Sequence, residues 1–127
     1  MEENEIGSIV MAAALGLHRE LGPGLLESVY EVVLAHLLRE RGLRIERQVP
    51  ISIQYRGLVF QEAFRADIIV ERKLLIEIEC VELLTYAHKK QLLTYLRLTQ
   101  RRLGYLINFN APLFKSGVIR VVNRLEN

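Results

Sequence analysis

The chain has 127 residues, of which 50% are apolar, with 17 Lys and Arg against 15 Asp and Glu. That length suits one domain over residues 1–127, with a core that needs no covalent staples. The lone cysteine, Cys80, excludes an internal disulfide and a thiolate metal cage, while a net charge of +2 neither demands nor excludes nucleic acid. The longest apolar run, Ile9 to Leu17, is shorter than the about 20 residues of a membrane span, and no charged leader with a cleavage signal is visible. A cytoplasmic protein with no membrane partner is expected.

From about Asn4 to Leu21 the sequence reads as a helix. Ile6, Ile9, Val10, Met11, Ala12, Ala13, Ala14, Leu15 and Leu17 make it apolar nearly all round. Such a helix must be covered on every side, and in so small a domain one side is expected to meet a second copy, giving a homo-oligomer. Gly22-Pro23-Gly24 breaks the chain. A second helix follows from about Leu25 to Arg41, with Leu26, Val29, Tyr30, Val33, Leu34, Leu37 and Leu38 as its inward stripe and Gly42 as its stop. Strand-like runs cover Ile45 to Tyr55, Leu58 to Val70 and Leu74 to Cys80, with turns at Arg56-Gly57 and Arg72-Lys73. Pro50 marks the first of these as an edge or a bulge. A third helix over Tyr86 to Leu98, a strand over Leu103 to Phe109 and a last strand over Gly117 to Val122 complete the order α-α-β-β-β-α-β-β.

The chemistry concentrates in the second hairpin. With its turn centred on Arg72, Asp67 faces Glu77 and Arg65 faces Glu79, while Phe64, Ala66 and Ile68 face Cys80, Ile78 and Ile76. Opposed residues have Cβ atoms roughly 4.5–5.5 Å apart, so the two carboxylates repel unless a proton or a cation lies between them. Such a pair is a seat for a hard divalent metal. An Arg65–Glu79 ion pair is the plain structural reading of the other two charges. His88, Gln91 and Tyr95 share one face of the third helix, turned either to the acids or to the sheet. Arg97, Arg101 and Arg102 read as a basic helix end, His18 as structural, His36 as a surface residue and Tyr30 as core. Glu27 falls in the first turn of the second helix, where the macrodipole favours an acid.

Gly24-Leu25-Leu26-Glu27-Ser28-Val29-Tyr30 resembles the motif that names the GxxExxY proteins, which are placed in the PD-(D/E)XK nuclease-like superfamily. His18 to Gly24, Arg65-Ala66-Asp67, Gln91 to Leu96 and Leu106 to Asn110 are similar to further blocks of that family, so the resemblance runs from about His18 to Val122. It implies an α/β (α+β) restriction-endonuclease-like core, a mixed central sheet flanked by helices. It also implies that Asp67 and Glu77 hold a metal, Mg²⁺ or Mn²⁺, with Glu27 as an additional acid and Gln91 and Tyr95 as a supporting pair. Glu79 stands where the family pattern has lysine, and Lys89 and Lys90, on the helix that the family packs near the acids, are the candidates for a substitute cation. A nuclease-superfamily protein with weak or absent catalysis is therefore expected. The alternatives are a degenerate self-assembling scaffold and a module that binds nucleic acid without cutting it.

Overall fold

A computed structural model describes residues 1–125. Its elements are α1 (Glu3–Leu21), α2 (Glu27–Glu40), β1 (Ile45–Tyr55), β2 (Leu58–Val70), β3 (Leu74–Glu79), α3 (Tyr86–Thr99), β4 (Leu103–Asn108), a short 3₁₀ turn (Phe114–Gly117) and β5 (Val118–Val122). The strands form one sheet in the order β1-β2-β3-β4-β5, antiparallel throughout except for the parallel pair β3–β4. A parallel pair needs a crossover, and α3 supplies it. The order and type of the elements follow the sequence reading, and the fold is the expected α+β arrangement with a mixed sheet. Among the described residues no helix is long and apolar enough to cross a membrane.

Two cores sandwich the sheet. On one face α1 and α2 bury Ile6, Val10, Leu17, Tyr30, Leu34 and Leu38 against Ile68, Ile76, Ile78 and Ile107. On the other, Leu92 and Leu96 of α3 cover Ala66, Ile69, Leu75, Leu106 and Val121. β3 and β4 are buried along almost their whole length because helices lie on both sides of them. β1 lies at the edge of the sheet, the kind of strand that tolerates Pro50.

α1 is more amphipathic than its composition implies. Asn4, Glu5, Ser8, Ala12, Arg19 and Glu20 point to solvent, and Ile9, Met11 and Leu15 are half-buried. A Cβ on Gly7 would come within 2.7 Å of the Tyr105 hydroxyl, so α1 lies close against β4. α2 is rotated from the expected stripe. Leu26, Val29 and Val32 are exposed, whereas Glu31 and Ala35 are buried beside Tyr30, Leu34 and Leu38. The rotation follows from Tyr30, whose ring stacks on Phe109 with centroids 4.6 Å apart. The Tyr30 hydroxyl donates to the Gly22 carbonyl and accepts from the Leu25 amide at 3.2 Å. These bonds tie the loop between the helices, where Gly22 and Gly24 take φ values of 69° and 109° that glycine adopts without strain.

Removing this hydroxyl leaves a loop amide and carbonyl without their partner. Tyr30→Phe is expected to lower unfolding stability by about 1–3 kcal/mol in a urea titration, with the fold retained.

Candidate functional site: an acidic notch between two strands

The β2–β3 ladder runs Val70↔Leu74, Ile69↔Leu75 and Ile68↔Ile76, the expected register, and ends there. At the next position side chains replace the ladder. The Asp67 amide donates to Glu77 Oε2 at 2.8 Å, and the Ile78 amide donates to Asp67 Oδ2 at 2.8 Å. Each acid thus binds backbone at the other's strand, and the two carboxylates are brought together.

Beyond this point β2 leaves β3. Ile68 belongs to the core under α1 and α2, yet Ala66, an even number of residues away, belongs to the core under α3. β1 switches likewise between Ile45 and Val49. Residues of one parity should keep one face of a regular strand. The expected apolar row of Phe64, Ala66 and Ile68 opposite β3 is therefore broken: Phe64 turns to α3 and stacks on Tyr95, centroids 3.8 Å apart. Arg65 does not meet Glu79; it pairs with Glu62 on its own strand. The cross-strand pair fails because the two strands have already parted.

The switch in β1 falls at Gln48, whose φ is 52°. A non-glycine residue in this left-handed region costs about 1–2 kcal/mol. The Gln48 side-chain amide donates to Glu31 Oε1 at 2.7 Å and to Asp67 Oδ1 at 3.4 Å. Arg47 holds the other Glu31 oxygen through Nε at 3.0 Å and Nη2 at 2.8 Å. Sequence reasoning did not single out Glu31, Arg47 or Gln48. A signal was present for Arg47: Ile45, Val49, Ile51 and Ile53 alternate as an inward set, and Arg47 is the one charge in that phase. For Glu31 there was none beyond its position one helical turn after Glu27.

Burial first, then the charge of Asp67, pushes the Glu77 carboxyl up to about 9. Burial likewise raises Asp67 to about 6, with Glu31, Glu79 and Glu27 adding to it and the Ile78 amide opposing. Among the described residues no ammonium or guanidinium is an influence on either acid. Glu79 is half-buried and raised by burial and by Glu27, with His88 opposing. Glu27 stands at the exposed rim, where its Oε2 accepts from the Cys80 amide at 3.2 Å.

Of the α3 residues, Tyr95 lies within electrostatic reach of Glu77, Asp67 and Glu79, and His88 within that of Glu79. Burial raises the Tyr95 hydroxyl, and Glu77, Asp67 and Glu79 raise it further. His88 Nδ1 accepts from the Thr85 amide at 3.0 Å and so closes the N-terminus of α3. Gln91 is exposed between them. The lysines do not enter the notch: Lys89 is exposed and Lys90 lies over the Tyr86 ring. The arginines disperse, Arg102 to Glu3, Arg101 to the Arg72 carbonyl and Arg97 to solvent. His18 is buried, 2.7 Å from the Ala111 carbonyl, and His36 is exposed beside Glu40.

Among the described residues no three acid, histidine or cysteine side chains converge on a point where a metal would be held. What the notch offers is two carboxylates with hard oxygen donors, each using one oxygen on a backbone amide. That set fits a divalent ion such as Mg²⁺, which needs one or two protein carboxylates and keeps several waters. The rim acid Glu27 is not part of it.

A family model described as the PD-(D/E)XK nuclease superfamily matches residues 4–121. Members of that superfamily usually use divalent metals. The crystal structure of SSO0001 superposes with a TM-score of 0.50 at 20% identity, over 95% of this chain and 67% of that one, which supports the fold. No curated protein matches the chain.

Without a cation the raised carboxyls hold protons in the folded state that the unfolded chain has released. Folding is then favoured at low pH, and the advantage is lost as pH rises, over about 4 to 6 for Asp67 and up to about 9 for Glu77. In a chelator the chain is expected to melt lower at about pH 8.5 than at about pH 5. Glu77→Gln keeps an acceptor for the Asp67 amide and should flatten the upper part of that dependence in calorimetric scans.

Proposed function

The chain belongs to the PD-(D/E)XK nuclease superfamily, and from that premise we propose that the notch is a divalent-cation site of the nuclease type, with phosphodiester hydrolysis weak or absent. Asp67 and Glu77 would hold Mg²⁺ or Mn²⁺. The observation that carries this reading is their mutual locking onto opposite strands, with no cationic side chain among the described residues acting on either acid. A buried and a half-buried acid so placed are stabilised by a proton or a metal, and no other group among the described residues supplies the charge.

A bound cation would polarise a phosphate and lower the pKa of a coordinated water. The chain's own residues would do the rest. Tyr95, stacked on Phe64 and within electrostatic reach of the acids, would present its hydroxyl to the notch, and Gln91, one turn before it, would add an amide. Glu79 lines the wall where an ammonium would orient water and offset charge in the transition state. It supplies a further negative charge instead. The substrate class this wall suits is a nucleic-acid phosphodiester.

A self-assembling role is the second reading. Leu25, Leu26, Val29 and Val32 are exposed along one side of α2 and its entry loop, with Leu21 at the end of α1. Exposed apolar surface of this kind fits a second copy better than water. The support lies here rather than on α1, whose outward face is polar. Sedimentation of the wild-type chain and of Leu26→Glu distinguishes a dimer that the substitution dissociates from a monomer of 14.7 kDa.

Calorimetric titration with Mn²⁺ at neutral pH should show one site in the wild type and none in Asp67→Ala. Glu79→Lys should gain Mg²⁺-dependent cleavage of single- or double-stranded DNA or of RNA. A chain that takes up no cation removes the reading. One that binds the ion but gains no cleavage in Glu79→Lys points to a module that binds without cutting.

A further inference from the structure

Resting on the reading of the notch as a cation site, we infer that Gln48 is a positioning residue, whose side-chain amide fixes the Asp67 carboxylate in the orientation from which it meets the ion. Three observations meet at this residue. The first is register. Arg47 pairs with Ile68 and Val49 with Ala66, so Gln48 stands opposite Asp67, yet that pair is missing from the ladder. Both strands contribute equal numbers of residues across the gap, so no inserted residue explains the distortion.

The second observation is backbone conformation. Gln48 takes φ 52° in the interior of a strand, a conformation that costs free energy for any residue with a Cβ. The residue is exposed, so burial of apolar area does not compensate. The conformation turns the side chain away from its regular path and toward the acids.

The third is what the side chain does there. One nitrogen, Nε2, serves Glu31 Oε1 at 2.7 Å and Asp67 Oδ1 at 3.4 Å. A primary amide carries two protons on one uncharged atom, so it bridges two carboxylates at once. A hydroxyl has only one proton. A lysine or arginine would cancel the negative charge a cation needs. The far end of the bridge is anchored, because Arg47 grips the other oxygen of Glu31. With Asp67 Oδ2 taken by the Ile78 amide and Oδ1 steered by Gln48, the carboxylate plane is set from both sides, and Oδ1 keeps a lone pair for a ligand. Groups that orient metal-binding side chains in this way typically contribute 10–100-fold to affinity.

The experiment compares the wild-type chain with Gln48→Gly and Gln48→Met by titrating Mn²⁺ into each cation-free protein and reading bound ion by electron paramagnetic resonance. Methionine keeps the length and the strained backbone but donates nothing. Glycine also donates nothing and accepts the left-handed φ freely. Both variants are expected to bind Mn²⁺ about 10–100-fold more weakly than the wild type, and Gln48→Gly to melt above Gln48→Met. Wild-type binding with unchanged affinity in either variant overturns the role of the amide and leaves the cation site standing. A wild-type chain that takes up no Mn²⁺ overturns the site and this inference together.

Discussion

The exchange of carboxylate–amide bonds between Asp67 and Glu77 sets the geometry on which everything else at the notch depends. A regular antiparallel pair would satisfy these amides with carbonyls from the facing strand. Here the strands part after Ile68 and Ile76, and each acid closes the gap by accepting from backbone across it. Buried backbone donors must find partners, and the acids supply them at the moment the ladder ends. The cost is two carboxylates drawn together out of water. Their proton affinities rise as a direct result, and Glu77, the more deeply buried, rises further. The same contact therefore finishes the sheet and creates a site with unmet negative charge.

Around it, each layer contributes through a local device. The motif Gly24-x-x-Glu27-x-x-Tyr30 works as a clasp: Gly24 permits the turn, Tyr30 ties the loop to the core, and Glu27 reaches the Cys80 amide at the end of β3. This fixes where α2 begins and how it is rotated. The rotation buries Glu31 one turn later, within reach of β1. From the opposite face α3 brings Tyr95 against Phe64, which reaches it only because β2 has changed sides at Asp67. The notch is thus the place where the two layers of the molecule communicate through the sheet.

Much of the fold was legible because its signals are local. Gly22 to Gly24, Gly42, Gly57 and the β2–β3 turn punctuate the chain, and strong apolar periodicity fills the intervals, so element order and the β2–β3 register followed from sequence. The pairing of Asp67 with Glu77 followed from that register. What did not follow depends on contacts between distant elements. The face of α2 was misjudged because Leu26 and Val29 extend the apolar stripe in sequence, whereas Tyr30 stacking on Phe109 decides the rotation in space. The change of face at Gln48 and Asp67 was hidden because alternation assumes unbroken strands, and a glutamine with positive φ gives no compositional warning. The expected Arg65–Glu79 pair failed for that reason: it extrapolated a ladder past the point where carboxylates had replaced it.

Glu79 sharpens a distinction that the superfamily's chemistry usually conceals. Holding a divalent ion and cutting a phosphodiester ask for opposite local charge. Retention of the ion is served by negative charge, and Glu27, Glu31 and Glu79 all deepen the negative potential felt at Asp67. Cleavage also needs a cationic donor to position water and balance the transition state, and neither Lys89 nor Lys90 is turned to provide it. Among the described residues Arg47 is the guanidinium drawn into the cluster, and it is committed to Glu31. In the proposed site, exchanging a lysine for Glu79 would therefore act on the two properties in opposite directions: it would favour capture of the cation and disfavour the reaction the cation serves. A site can lose the second property while keeping the first, since the strand-parting clasp that builds it depends on Asp67 and Glu77 and owes nothing to position 79.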